Sequence, residues 1–201
     1  MSRIMIYNAN ICNEQYLFYE MRIVAKLVCE GMSDDEIIAK VCEENLFQKP
    51  TERKLVELTR NCLRRLKALE SDALVDVVAN GALEAAKQTN IYGMMRSNLL
   101  VWDFMTTVIG EKFRTQDFDY TPKDLNVFFF RLQEQSDTVA AWSDNTIGKA
   151  KQVLNKSLAE SGYIDSVRTR HLNLVSIEPE LEDEIRANND VAALAAFNCF
   201  R

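Results

Sequence analysis

The chain has 201 residues, of which 47% are hydrophobic, so it holds enough apolar material for a core and domain-scale disorder is excluded. Its five cysteines, Cys12, Cys29, Cys42, Cys62 and Cys199, are scattered with no CxxC pair, which excludes a zinc ribbon or a disulfide-stapled scaffold and points to thiols in a reducing, cytoplasmic compartment. The net charge of −6 excludes a globally basic nucleic-acid binder and moves the question to how the charge is distributed.

Six glycines and three prolines leave few breaks, and the apolar residues recur at helical spacing, so an all-α fold is expected. The first helix is predicted from about Asn13 to Glu30, with Leu17, Met21, Val24 and Val28 on one face and Gly31 as its stop. Ser33 and Glu36 form a capping box for a second helix carrying Ile37, Ile38 and Val41, which should end before Pro50. Thr51 is a cap for a third helix through Glu70. Residues Asp72 to Lys112 read as two helices broken near Thr89 to Gly93, with Trp102, Phe104 and Met105 in the core. Further on, Thr121-Pro122-Lys123-Asp124 is a strong start for a helix over Lys123 to Gln135. Ser143 or Asp144 caps another that runs to about Ser161 and stops at Gly162. The partial alternation from Tyr163 to Ile177 predicts a short β-hairpin. Pro179 then opens an acidic last helix, followed by an alanine-rich tail.

No stretch is long and apolar enough for a membrane span: the most apolar one, Leu99 to Ile109, is short and contains Asp103. Arg3 is not followed by the apolar region of a secretory signal. A soluble cytoplasmic protein is therefore expected.

Charge is unevenly placed. Glu178 to Asp190 carries six acids against Arg186 alone, while Thr51 to Glu70 and Ser143 to His171 are locally basic. On the third helix Leu55, Leu58, Cys62, Leu66 and Leu69 fall on one side and Arg53, Arg60, Arg64 and Lys67 on the other. Such a stripe suits a phosphate-facing helix, although Glu57 interrupts it and an ordinary solvated face has the same pattern. On the helix from Ser143, Ile147, Ala150, Leu154 and Leu158 form the inner face, and Asn145, Lys149, Gln152 and Lys156 the outer one. Each outer residue can hydrogen-bond a base or a phosphate. With Arg168, Arg170 and His171 at the expected hairpin, this is the order of a winged helix, a shape that also serves in protein docking.

Catalytic signatures are lacking. His171 has no nucleophile in a recognisable motif, Gly148-Lys149 lacks the rest of a phosphate-binding loop, and the acids of Glu178 to Glu184 lack the spacing of a calcium loop. No catalytic residue, metal site, cofactor or small-molecule substrate is expected. Phe128, Phe129 and Phe130 cannot all face one way on a helix, so at least two should be core.

The segment Glu43-Glu44-Asn45-Leu46-Phe47-Gln48 with Thr51-Glu52-Arg53, followed by Arg64-Arg65-Leu66, resembles the BrxA family, a component of bacteriophage exclusion (BREX) defence systems. Asp119-Tyr120-Thr121 before Phe128-Phe129, and Thr146 to Leu158 before Gly162-Tyr163-Ile164, are similar to that family in the same order, from about Asn10 to about Phe197. The resemblance implies an all-helical fold related to the NusB-type RNA-binding factor. It also implies work beside a DNA methyltransferase, ATPases and a phosphatase-like protein, and binding to double-stranded DNA. It transfers no catalytic residue. The family's former inner-membrane label is at odds with the lack of a spanning segment here.

Together these readings predict a helix-turn-helix-like three-helix unit over residues 1–71, central helices over 72–118, and a winged-helix-like unit with one short β-hairpin and an acidic C-terminal helix over 119–201. The expected function is that of a non-enzymatic accessory protein that binds double-stranded DNA and other BREX proteins. A docking scaffold and a NusB-like RNA binder are the alternatives.

Overall fold

Local chemistry sets most helix starts in the computed structural model, which describes residues 6–13 and 15–200. Arg3 and Glu14 lie outside the described residues. The chain divides into two compact units, residues 17–97 and residues 98–201 with 1–16.

The first unit holds α1 (Phe18–Cys29), α2 (Asp34–Glu43), α3 (Glu52–Leu69), α4 (Asp72–Asn80) and α5 (Leu83–Ser97). The first helix begins later than expected because Leu17 takes a left-handed conformation, φ 54°. α2 has the expected capping box: Glu36 N–H donates to Ser33 Oγ at 3.4 Å, and Ser33 N–H donates to the Glu36 carboxylate at 2.8 Å. Thr51 and Ser71 cap α3 and α4 one way only, their hydroxyl oxygens accepting from Lys54 N–H and Leu74 N–H. Met21, Val24, Ile37, Val41, Cys62, Leu69, Leu74 and Val78 make the core of this unit. Arg22 closes the far end of α4 by donating to the carbonyls of Ala79 at 3.3 Å and Gly81 at 3.2 Å.

The break expected near Thr89 to Gly93 is absent; helix α5 runs through it, and the interruptions fall at Gly81 and Asn98. Every residue from Gln88 to Arg96 is buried, so packing outweighs the weak helix propensity of Thr89, Asn90 and Gly93. A Cβ on Gly93 would stand 3.4 Å from the carbonyl oxygen of Arg65, close enough that a small residue suits the crossing of α3 and α5. The Arg96 guanidinium ties the end of α5 to that of α3 by donating to Leu69 O at 3.0 Å and the Glu70 carboxylate at 2.6 Å.

The second unit starts with a 3-10 turn at Ala9–Cys12, and α6 (Leu99–Asp103) continues through a π-helical segment, Phe104–Ile109, into α7 (Gly110–Arg114). Phe104 and Met105 are core, whereas Trp102 is half-buried. Then come α8 (Pro122–Gln135), the short α9 (Asp137–Ala140), α10 (Asp144–Ser161), α11 (Pro179–Ala187) and a 3-10 segment, Val191–Phe197. α8 opens with Thr121, whose N–H donates to Asp124 at 2.6 Å, and Pro122 in the first turn. Phe128 and Phe129 are buried and Phe130 is 61% exposed, as the periodicity requires. The alanine-rich tail is not a free appendage: Ala193, Leu194, Ala196 and Phe197 are buried, and the tail meets α7 where Gly110 leaves no room for a Cβ, which would come within 2.8 Å of Ala195 Cβ.

The expected β-hairpin over Tyr163 to Ile177 does not form. The only pairing there among the described residues is one antiparallel bridge, Asp119 with His171. The extended stretch joins the distant segment before α8, with Leu172 N–H donating to Phe118 O at 2.8 Å and Tyr120 N–H to Arg170 O at 3.0 Å. Tyr163, Ile164 and Leu172 are buried in this stretch without a paired strand beside them. The architecture is all-α, and no helix among the described residues is long and apolar enough to cross a membrane.

Candidate nucleic-acid interface

Helix α3 separates its two stripes as its periodicity dictates. Leu55, Leu58, Cys62, Leu66 and Leu69 are buried, and Arg53, Arg60, Arg64 and Lys67 are exposed. Arg65 adds nothing to the outer charge, because it is only 1% exposed. Lys67 is held in an ion pair with Asp34 of α2, whereas Arg53 and Arg60 have no ion pair among the described residues. Asp34 and Asp35, together with Arg60, Arg64 and Lys67, line a groove of about 350 Å³ between α2 and α3. These two acids were legible only as favourable residues in the first turn of α2; that they face the basic stripe depends on how the helices cross.

The second face is built on α10. Thr146 N–H donates to the capping hydroxyl of Ser143 at 3.2 Å, and Gly162 ends the helix at φ 90°, a conformation that glycine adopts without strain. Ile147, Ala150, Leu154 and Leu158 point inward, so Asn145, Lys149, Gln152 and Lys156 stand exposed in a row. Lys156 is partly compensated, with Glu160 at 3.5 Å and a hydrogen bond to Gln15 at 3.1 Å. Lys149 has no ion pair among the described residues. Its charge acts on the half-buried Cys12 thiol, which burial pushes above the usual thiol range while Lys149 pulls it down.

After Gly162 the chain forms a loop fixed from several directions. Asn173 N–H donates to Tyr163 O at 2.8 Å, and its side-chain amide donates to Gly162 O at 3.0 Å and to Asp165 at 2.9 Å. Ser166 and Thr169 close the tip, and Asn155 on α10 donates to Val167 O at 3.0 Å. The Tyr163 hydroxyl, buried and pushed well above its usual range, donates to Ala196 O at 2.9 Å and anchors the base. Arg168 and Arg170 are exposed on this scaffold with no ion pair among the described residues. Val167, which sequence reasoning did not single out, is 51% exposed at the tip. His171 is exposed, with its ring 5.9 Å from that of Phe118.

The ten residues named from the sequence thus form two sets, four on α3 in one unit and six on α10 and its loop in the other.

Both units are built mainly of helices, and each presents exposed basic residues on one of them. Residues 5–189 match the family model described as BrxA, and the chain belongs to the BrxA family. It is 34% identical over 186 residues to BREX protein BrxA of Bacillus cereus (strain H3081.97), with 92% of each chain covered. It is also 27% identical over 187 residues to BREX protein BrxA of Paramagnetospirillum magneticum (strain ATCC 700264 / AMB-1), again covering 92% of each. Among solved structures, the crystal structure of an uncharacterized protein from Magnetospirillum magneticum is similar, with a TM-score of 0.80 and 25% identity, covering 95% of this chain and 97% of that one.

Proposed function

We propose that this chain is a non-enzymatic accessory protein of a BREX phage-defence system that binds double-stranded DNA. The observation that carries this reading is the α10 face: Asn145, Lys149, Gln152 and Lys156 stand in one exposed row beside a braced loop carrying Arg168 and Arg170. A helix with amide and ammonium groups outward, followed by a rigid cationic loop, fits a duplex in the winged-helix manner. The braced loop takes the place of the wing. A second contact forms on the helix-turn-helix-like α1 to α3, through Arg53, Arg60, Arg64 and Lys67. Lys67 contributes least because Asp34 already neutralises it.

Binding would be governed by phosphates, with Asn145 and Gln152 able to reach base edges. The test is the affinity of the purified chain for duplex DNA across a salt series, with structured RNA as competitor. Binding that weakens as salt rises, and that RNA displaces poorly, supports the reading; no affinity at low salt refutes it. Reversing Arg60 and Arg64 to Glu should weaken binding about equally for any duplex sequence. Unchanged affinity would remove α3 from the interface.

A further inference from the structure

Helix α8 buries Leu125, Phe128, Phe129 and Leu132 and turns its opposite side to solvent. On that outer side Lys123, Val127, Phe130 and Glu134 follow one another at steps of four, three and four, so they form one narrow stripe about 16 Å long at roughly 1.5 Å of rise per residue. All four are exposed, Phe130 at 61% and Val127 at 45%. Among the described residues Val127 and Phe130 are the only large apolar pair exposed one helical turn apart, and neither Lys123 nor Glu134 has a hydrogen bond or ion pair. Single exposed apolar residues are ordinary on a protein surface. What sets this pair apart is the cation at one end of its stripe and the anion at the other.

We propose that this stripe is the seam of a homodimer, in which α8 lies antiparallel on α8 of a second copy of this chain, with Val127 packed on the partner's Phe130 and Lys123 paired with the partner's Glu134. The register selects this occupant. Val127 with Phe130 and Lys123 with Glu134 share one midpoint, level with the Phe128–Phe129 peptide, so a two-fold axis through that point satisfies the apolar and the ionic contacts in a single placement. A parallel placement would set lysine on lysine and glutamate on glutamate. The spacing of four and three keeps the stripe against a partner helix in shallow-angle packing. A nucleic acid does not suit it, because the middle is apolar and the one cation is matched by one anion. Two helices meeting over three turns cover less than the roughly 1,200 Å² at which stable interfaces begin, so the association is weak and concentration-dependent. The four residues are separate from those assigned to DNA, and the proposal does not rest on that reading.

The test is sedimentation equilibrium of the full chain, without DNA and at low salt, from about 1 μM to about 0.5 mM. The average mass should climb from one chain toward two. Phe130→Ser, at an exposed position, should weaken the association by about tenfold or more. Lys123→Glu and Glu134→Lys should each weaken self-association by about tenfold, because like charges then meet at both ends of the seam. Mixed together, these two variants should pair with each other, and both changes in one chain should restore the parental dimer. Neither a folding defect nor docking to an unrelated helix produces that pattern. A chain that is monomeric at every concentration, a dimer that Phe130→Ser or the charge reversals leave unchanged, or single variants that fail to pair when mixed would each overturn the proposal.

Discussion

If the α10 face grips phosphates, the salt dependence of binding should count its uncompensated cations. Lys149, Arg168 and Arg170 have no ion pair among the described residues, whereas Lys156 shares its charge with Glu160. With the α3 cations removed, three neutralised phosphates give a slope of about −2.7 in log affinity against log salt, so a fourfold rise in salt lowers affinity about 40-fold. Lys149→Ala should reduce the slope to about −1.8 and the same loss to about 12-fold, and removing all three cations should nearly flatten the α10 contribution. Lys156→Ala should change it less than any of the three. Fluorescence anisotropy on a labelled duplex at several salt concentrations measures all of this directly. A triple variant that keeps the parental slope would refute the assignment, whatever its affinity at a single salt.

Asn145→Ala with Gln152→Ala should alter preference among duplex sequences while leaving the slope intact, read by competition between labelled and unlabelled duplexes. Gly110→Ala gains helix propensity but forces its Cβ to 2.8 Å from Ala195 Cβ, so a net loss of about 1–2 kcal/mol is expected in denaturant unfolding, with Ala195→Gly as the rescuing partner. Arg22→Ala frees the carbonyls of Ala79 and Gly81 and should cost about 1–2 kcal/mol. Burial holds the Cys62 thiol up at about 12. The unfolded chain releases that proton near pH 9 and the folded chain does not, so stability should be unaffected below pH 9 and fall by about 1.4 kcal/mol per pH unit above it. Unfolding titrations of Cys62→Ala should lack that component.

What the sequence discloses here is whatever a few neighbouring residues decide. The Ser33–Glu36 capping box, the Thr51 and Ser143 caps, the Thr121-Pro122-Asp124 start and the Gly162 stop all depend on contacts within one turn, and all are found. The inner and outer faces of α3 and α10 follow from spacing alone. The missing hairpin and the uninterrupted α5 have the opposite origin: Leu172 bonds Phe118 across the fold, and Thr89 to Gly93 stay helical because their surroundings are packed. In the same way nothing local announces that Asp34 reaches Lys67, 33 positions away. The basic stripe was visible, but its partial neutralisation was not.

The packed tail bears on how the protein can be handled. Leu181, Ile185, Leu194 and Phe197 are interior residues, so trimming the chain from Glu178 onward would remove structural material along with the acidic charge. A deletion that abolished assembly with other proteins would then report a collapsed unit as readily as a lost docking motif. Replacing only the exposed acids Glu180 and Asp183 by their amides is the cleaner cut.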